Sequence, residues 1–286
     1  MVFYFDKLVY MTSSSKRTMS TLIVLAFFSV LAKSQLLHAP ADSPSFEVVS
    51  IKLNDPKVLF ILNQMGSQRI VRVVGTEKGL IQQAFNASSP QRVAGFSKID
   101  DHQMYRIEAT IPDEIFAQMQ SRDAAFRQHE VQAMLQVLLK ERFGLEFHFG
   151  TKVLPTYDIV IAKGGSKLPE PRGPSDSLSG GWAMSPTGDM RVRNVKLEEF
   201  VQFSPFDLGD RVIMNKTGLD GRYDFTFHWR RPQASSPFGV SAAGNFDDAG
   251  PSIFSALKDQ LGLELVSNNE SAEVLYVDKI HDPTSN

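Results

Sequence analysis

The chain has 286 residues, of which 42% are hydrophobic and 22% charged, and its formal net charge is −2. This composition is typical of one or two globular domains and excludes an intrinsically disordered chain. Because 30 basic residues are balanced by 32 acidic ones without a dense basic run, electrostatics give no support to nucleic-acid binding. The lack of cysteine excludes disulfides, thiol nucleophiles and thiolate metal sites.

The N-terminal region has the order of a secretory signal peptide. Residues 16–32 (KRTMSTLIVLAFFSVLA) place two basic residues before a short apolar run, and the sequence A-K-S at 32–34 then supplies small residues at its first and third positions. The apolar run is shorter than the roughly 20 residues that span a bilayer. We therefore predict a signal peptide over residues 1–34, with cleavage after Ser34 or Ala39. The mature protein is then exported, periplasmic or extracellular, and has no stable membrane span; an uncleaved membrane anchor is the alternative.

Hydrophobic periodicity predicts a first α+β unit over residues 46–162. Thr76 is a plausible N-cap for a helix over Thr76–Phe85, and an apolar stripe predicts the clearest helix at Glu130–Phe143. Gly144 is well placed to end that helix in a left-handed conformation. The predicted strands of this unit are Phe46–Ile51, Arg69–Val74, Gln91–Phe96, Tyr105–Ile111, Leu145–Phe149 and Tyr157–Ala162.

Two stretches rich in Gly, Pro, Ser and Ala are predicted to lack regular structure. The first, residues 163–189, is a linker or long surface loop, and a second α+β unit follows it over residues 190–286. The other stretch, residues 231–251, interrupts the second unit and is longer than most connections within a compact domain.

The second unit repeats the order of the first at a constant offset. Tyr223 follows Tyr105 by 118 residues, and Gly262 follows Gly144 by the same 118 residues. A shared offset at two anchors indicates an internal duplication, although helix–glycine–strand units that match by chance are the alternative. We therefore predict the α+β fold class, with two similar tandem units that each have a small mixed or antiparallel sheet and helices packed on one face.

The segment Thr217–Trp229 (TGLDGRYDFTFHW) holds the candidate ligand-binding residues. Its aromatic side chains alternate along a strand and are predicted to be core, whereas Arg222, Asp224 and His228 lie on the opposite, polar face. We predict that these three residues form a polar ligand surface; a solvated sheet face is the alternative. The preceding Asp220-Gly221 pair predicts a turn with positive φ.

No motif assigns catalytic, cofactor-binding or metal-ligating residues. His129-Glu130 is not followed by the second histidine of a zinc-peptidase helix, and no Gly-x-Ser-x-Gly elbow occurs. The Gly-Gly pairs within 163–189 lack the Lys-Ser/Thr of a phosphate-binding loop. A Ser/His/Asp triad assembled from distant residues stays open, because its members need not be close in sequence.

Four stretches together resemble one protein family: FEVVSIKLND, QAMLQVLLKERFGLEFHFGTKVLPTYDIVIAKGGSKL, NKTGLDGRYDFTFHW and IFSALKDQLGLELVSNNESAEVLYVDKIHDPTSN. They are similar to a large family of uncharacterised exported proteins, the Solibacter-type paralogous family expanded in soil acidobacteria, whose domain has no assigned function. The resemblance covers Phe46 to the C-terminus. In some relatives the domain follows a membrane-embedded zinc peptidase resembling antibiotic-sensor receptors; this sequence lacks that region, so peptidase activity does not carry over. Relatives usually have a Gly-Gly-Pro-x-Trp-Leu turn where this chain has Ala94–Met104.

These patterns predict an uncharacterised exported protein that acts as a non-catalytic binding or interaction module rather than as an enzyme. Its expected partner is an envelope protein, a peptide or a glycan, and no cofactor is implied. Two alternatives stay open. One is an extracytoplasmic hydrolase with a site between the two units, and the other is a ligand-sensing domain related to receptor ectodomains.

Overall fold

The computed structural model describes residues 36–54, 68–95, 103–173, 180–184, 189–203, 208, 211–230 and 250–284. The predicted signal peptide and residues 231–249 of the second loop lie outside these ranges. The described residues form helices and three sheets, which confirms the α+β fold class. The part of the chain that the structure describes contains no helix long and apolar enough to cross a membrane.

The helices and strands occur in the following order along the chain. They are β1 Val48–Leu53, β2 Ile70–Thr76, α1 Glu77–Ala84, β3 Val93–Ala94, β4 Met104–Thr110, α2 Asp113–Gln120, α3 Ala124–Phe143, β5 Glu146–Ile161, β6 Gly181–Met184, β7 Met190–Lys196, α4 Leu197–Phe203, β8 Val212–Asn215, β9 Arg222–Phe227, α5 Ile253–Ala256 and β10 Leu263–Lys279. A short 3₁₀ turn, Pro90–Arg92, precedes β3, and a π-helix, Leu257–Leu261, follows α5.

Side-chain caps fix where α1 and α3 begin, and a glycine ends α3. The hydroxyl of Thr76 accepts the N–H of Gly79 at 3.2 Å, which confirms the predicted N-cap of α1. Helix α3 begins six residues earlier than predicted, because the carboxylate of Asp123 accepts the N–H of Phe126 at 2.8 Å. Gly144 ends α3 with φ +58°, in the predicted left-handed conformation.

Three sheets organise the described residues. The first has the order β1-β4-β2 and the third has the order β6-β7-β9, each with antiparallel neighbours. The second is a central sheet of order β3-β10-β5-β8, which contains strands from both halves of the chain. Its two long strands, β5 and β10, pair antiparallel. Strand β6 falls within the stretch predicted to lack regular structure, because its Gly- and Ser-rich surroundings hide the strand pattern.

The central sheet exchanges strands between the two halves of the chain. Strand β3, from the first half, runs parallel to β10, and β8, from the second half, runs parallel to β5. The structure joins the two predicted strands Leu145–Phe149 and Tyr157–Ala162 into the single strand β5, because β10 continues to pair through the segment between them, with Asn269 opposite Pro155. The two predicted units thus share one sheet; whether they arose by duplication stays a prediction.

The described residues form three hydrophobic cores; the smallest, made of Leu154, Val212, Met214, Ala272 and Val274, lies on the central sheet itself, and the other two follow from this exchange. The first core is built from β2, β4, α1 and α3, and it also takes in Leu275, Val277 and Ile280 from β10 and its end. The second core is built from β7, α4, β9, α5, the π-helix and Leu263, and it also takes in Ile159 from β5. Each core is therefore completed by the long strand of the other half.

Candidate functional site

The apolar face of β9 is part of the second core, as predicted. Tyr223, Phe227 and Trp229 are buried, and Phe225 is half-buried. The rings of Phe227 and Trp229 stack with centroids 5.1 Å apart, and Phe200 of α4 meets Phe225 edge-on at 5.0 Å. This row of aromatic side chains holds β9 in place, so that the opposite face positions its polar residues.

Arg222 connects β9 to two helices. Its guanidinium donates to both carboxylate oxygens of Glu199 in α4, at 3.1 and 3.2 Å, and to the carbonyl oxygen of Asn194 at 2.8 Å. One of its nitrogens also lies 3.5 Å from the carboxylate of Asp123, the residue that caps α3. The planar guanidinium group can donate to both oxygens of one carboxylate in this way. Arg222 therefore stabilises the packing of β9 against α4 and against the start of α3.

Asp224 is held by Arg172, which lies in the loop after β5. The Nε–H of Arg172 donates to one carboxylate oxygen at 2.8 Å, and the Nη2 group of Arg172 pairs with the other oxygen. The N–H of Asn194 donates to the same carboxylate at 2.6 Å, at a point where the register of β7 shifts and Asn194 adopts φ +50°. The bond from Arg172 holds the pKa of Asp224 below its usual value; burial opposes this, and the Asn194 N–H adds to it.

The Asp224→Asn variant is expected to be less stable than the wild type at neutral pH, and the difference should shrink in acid. Since the pKa of Asp224 is lowered in the folded state, its ionised form adds stability that is present above the ordinary pKa of 3.8 and is lost as pH falls through the lower, folded pKa. Thermal unfolding of both proteins between pH 7 and about 2 measures this. Asp220→Asn is the control, because Asp220 is exposed and makes no ion pair with the described residues. A difference in Tm that does not vary with pH would contradict the assignment.

His228 is fixed through its main chain by the π-helix. The side-chain amide of Gln260 accepts the N–H of His228 at 2.9 Å and donates to its carbonyl oxygen at 2.6 Å. The imidazole Nδ1 lies 2.9 Å from a carboxylate oxygen of Asp189, but without hydrogen-bond alignment. The contact is therefore an ion pair that forms when the imidazole is protonated.

The three residues predicted as a ligand surface do not converge on one point. Arg222 contacts Glu199 and Asp123, whereas Asp224 contacts Arg172 and His228 contacts Asp189. Arg222 and Asp224 both bind main-chain atoms of Asn194 in β7, but their side-chain partners, and that of His228, lie in different segments of the chain. Their role in binding a ligand stays a prediction, while their role in holding the fold together is visible in the contacts.

The turn before β9 differs from its prediction in one respect. The positive φ predicted at Gly221 is wrong; the left-handed residue is Gly218, with φ +69°. Gly221 is needed for space, because a Cβ atom there would lie 2.5 Å from the Cβ of Pro171 and 2.9 Å from the hydroxyl of Tyr223. Thr217 shapes the turn itself, since its hydroxyl accepts the N–H of Leu219 at 3.1 Å.

A second group of polar residues lies on the face of the central sheet opposite Ile159. We call it the central polar cluster: Thr156, Asp158, Asn268, Glu270 and Lys216. One carboxylate oxygen of Asp158 accepts the side-chain N–H of Asn268 at 2.8 Å, and the same amide group donates to Glu270 at 3.1 Å. Glu270 in turn pairs with the ammonium of Lys216 at 2.9 Å. Three neighbouring strands, β5, β10 and the end of β8, thus bring the cluster together.

Two oxygens in this cluster are buried without a partner. Thr156 is 0% exposed and Asp158 is 9% exposed. The hydroxyl oxygen of Thr156 and the Oδ1 atom of Asp158 have no hydrogen-bond partner among the described residues. Leaving such an oxygen unpaired costs about 1–3 kcal/mol, and more for a charged group. The cluster is therefore able to accept hydrogen bonds from a donor outside the described chain.

The charge of the cluster defines which donor would fit. The groups that its hydrogen bonds and ion pair connect are two carboxylates, Asp158 and Glu270, and one ammonium, Lys216. Because Lys216 compensates one carboxylate, one negative charge is left over. A single positive charge with several N–H groups would satisfy both the charge and the free oxygens.

Sequence reasoning missed this cluster because its signal is weak. Thr156 and Asp158 alternate with Tyr157 and Ile159, which is the pattern of a strand with one wet face. Only the pairing of β5 with β8 on one side and β10 on the other shows that these polar residues are buried. The polar residues at i and i+2, Thr156 and Asp158, next to the apolar residues Ile159–Ile161 were the one available hint.

The fold and the cluster define an α+β domain with a partly buried polar cluster on its central sheet. A family model described as "Protein of unknown function (DUF3738)" matches residues 78–280, more than two thirds of the chain. The chain therefore belongs to the DUF3738 family. No curated protein and no solved structure gives a significant match. The predicted resemblance to a domain of unknown function is confirmed, whereas membership of the exported Solibacter-type branch stays a prediction.

Proposed function

We propose that this protein is an exported, non-catalytic binding module whose central polar cluster accepts a primary ammonium group of its ligand. One observation carries the proposal: two buried oxygens, on Thr156 and Asp158, have no donor among the described residues. Nearly all buried polar atoms in native proteins are paired, so a donor from outside the described residues is expected at this position. The order of basic, apolar and small residues over 16–34 supports export.

A primary ammonium suits the cluster for two reasons. It has three N–H groups, which is enough to provide a donor for the hydroxyl oxygen of Thr156 and another for the free oxygen of Asp158. It also supplies the one positive charge that the cluster lacks. Divalent cations such as Ca²⁺ take six to eight oxygen ligands, often from several carboxylates, and the carboxylate of Glu270 is already paired with Lys216.

The ligand can reach the cluster from the side of β10. Val266 lies directly opposite Asp158 in the strand register, and its side chain is 47% exposed. The residue that faces Asp158 on the neighbouring strand is therefore exposed to solvent. The ammonium group could be that of a lysine side chain of a peptide or the amino group of a glycan.

Thermal unfolding of the purified protein with small amines tests the proposal. Cadaverine, a short N-terminally acetylated peptide with one lysine and glucosamine are expected to raise Tm; the same peptide acetylated also on lysine and N-acetylglucosamine are not. A ligand at one hundred times its Kd stabilises a protein by about 2.7 kcal/mol, which is readily measured as a shift in Tm. The relative size of the shifts distinguishes a peptide ligand from a sugar ligand.

Two variants make the test specific to the cluster. Asp158→Asn removes the charge that the ammonium needs, so the shift should disappear. Glu264→Gln removes a partly exposed carboxylate of the neighbouring strand, β10, which pairs only at 3.4 Å with Lys258, and it should keep the shift. The proposal is wrong if no amine shifts the wild type, or if Asp158→Asn responds as the wild type does. The hydrolase and ligand-sensing alternatives stay predictions.

A further inference from the structure

Residues Leu36–Ala39, which we call the N-terminal strap, are integrated into the fold just after the predicted signal peptide. The side chain of Leu36 is 3% exposed and belongs to the first core. Its main-chain N–H donates to a carboxylate oxygen of Glu273 in β10 at 2.9 Å. The strap therefore begins with a buried residue that is also held by a charge-assisted hydrogen bond.

The middle of the strap satisfies a buried amide. Gln136 of α3 is buried, and its NH₂ group donates to the carbonyl oxygens of Leu37 and Ala84, at 2.8 and 2.9 Å. Its amide oxygen accepts the N–H of Ala39 at 3.2 Å. Without the strap, the buried amide of Gln136 would lose the carbonyl oxygen of Leu37 as an acceptor and the N–H of Ala39 as a donor, which is costly for a buried polar group. The N–H of Leu37 also donates to the carbonyl oxygen of Phe85 at 2.9 Å.

His38 adds a third attachment. Its ring stacks on Phe149 of β5, with centroids 3.8 Å apart and planes 11° from parallel. Its Nε2 atom lies 2.9 Å from the second carboxylate oxygen of Glu273, so Glu273 holds the strap with both of its oxygens. The strap thus contacts α1, α3, β5 and β10, which are the elements around the first core.

We infer that export processing cleaves the peptide bond between Ser34 and Gln35, so that the mature protein keeps the N-terminal strap. This inference rests on the proposed export. The step is a hydrolysis: one water is consumed, Ser34 receives the new carboxylate and Gln35 the new α-ammonium. Cleavage after Ala39, the other site that the sequence allows, would remove every strap contact from the protein. It would also place the bulky Leu37 where Ala32 provides a small residue for the first site.

The experiment expresses the full chain in a Gram-negative host and determines the N-terminal peptide and the intact mass of the protein in the extracytoplasmic fraction. Mass spectrometry is suited to this, because an N-terminal glutamine can cyclise. We expect a protein that starts at Gln35. A protein that starts at Pro40 would overturn the inference while leaving export standing. An uncleaved chain in the cytoplasm or the membrane would overturn the proposed processing and with it the inference.

Two matched variants assign the cleaved bond. Ser34→Leu puts a large residue immediately before the inferred bond, and the precursor should accumulate. Ala39→Leu makes the same change before the other candidate bond, keeps the main-chain N–H that binds Gln136, and should leave processing unchanged. The opposite pattern, with normal processing of Ser34→Leu and a block in Ala39→Leu, would refute the inference.

Discussion

Gly262→Ala is expected to destabilise the protein more than Gly218→Ala does, although both glycines have left-handed backbones, with φ of +65° and +69°. At Gly218 a Cβ atom would meet nothing within 4 Å, so the cost is the conformational one, about 1–2 kcal/mol. At Gly262 the Cβ atom would overlap the carbonyl oxygen of Gly165 and lie 2.7 Å from the nitrogen of Lys167. This overpacking against backbone adds about 1–3 kcal/mol.

Chemical denaturation of the two variants beside the wild type measures the difference. The loss in the free energy of unfolding should be clearly larger for Gly262→Ala, because main-chain atoms cannot rotate away from the new methyl group. The N–H of Lys167 donates to the carbonyl oxygen of Leu261 at 2.9 Å, and the N–H of Ala162 donates to that of Gly262 at 2.9 Å. These bonds keep the loop after β5 against the start of β10. Equal losses in the two variants would show that the close approach is not maintained in solution.

Arg92→Ala is expected to be the most destabilising single truncation of a charged residue. The side chain of Arg92 is 1% exposed, and its Nε–H donates to the carbonyl oxygen of Glu273 at 3.1 Å. Burial lowers the pKa of Arg92 to about 10, although the carboxylates of Glu273 and Glu198 raise it, so the guanidinium is charged at neutral pH. Removing one partner of a buried charged group typically costs about 3–5 kcal/mol.

Two further variants separate charge from packing. Arg92→Met keeps most of the volume without the charge, so we expect a loss smaller than that of Arg92→Ala. Arg211→Ala is the matched control before β8, where a half-buried arginine donates to the carbonyl oxygen of Thr156 at 3.2 Å and to the hydroxyl of Ser267 at 3.0 Å. Its loss should be about 1–2 kcal/mol, the sum of two ordinary hydrogen bonds. The assignment fails if Arg92→Ala and Arg211→Ala lower the unfolding free energy equally.

Local chemistry made part of the fold predictable. Thr76, Gly144 and the apolar stripe of α3 act within a few residues of themselves, and the structure has all three as predicted. The same holds for the aromatic face of β9, because period-2 alternation depends only on the strand itself. For these features the sequence contains the whole physical cause.

Features that depend on distant partners were not predictable. Proline is disfavoured inside a strand, so Pro155 predicts that the strand ends there. Strand β5 nevertheless continues through Pro155, because β10 supplies a continuous partner strand. Asp224 is paired with Arg172, a residue in a loop without any periodic pattern. The buried state of Thr156 and Asp158 depends on the register of three strands from both halves of the chain. In each case the stabilising contact is made with a residue that is distant in sequence. The fold, and not the local sequence, brings the two residues together.

The exchange of strands in the central sheet determines when this protein is able to fold. The first core is completed by Leu275, Val277 and Ile280, so it cannot close while the ribosome still holds the last strand. We therefore expect the N-terminal half to complete its core only after nearly all of the chain has been synthesised, and contacts of such long sequence separation also make folding slow. Slow folding of this kind would suit the export that we propose, because a secretion pore for unfolded chains requires an unfolded polypeptide.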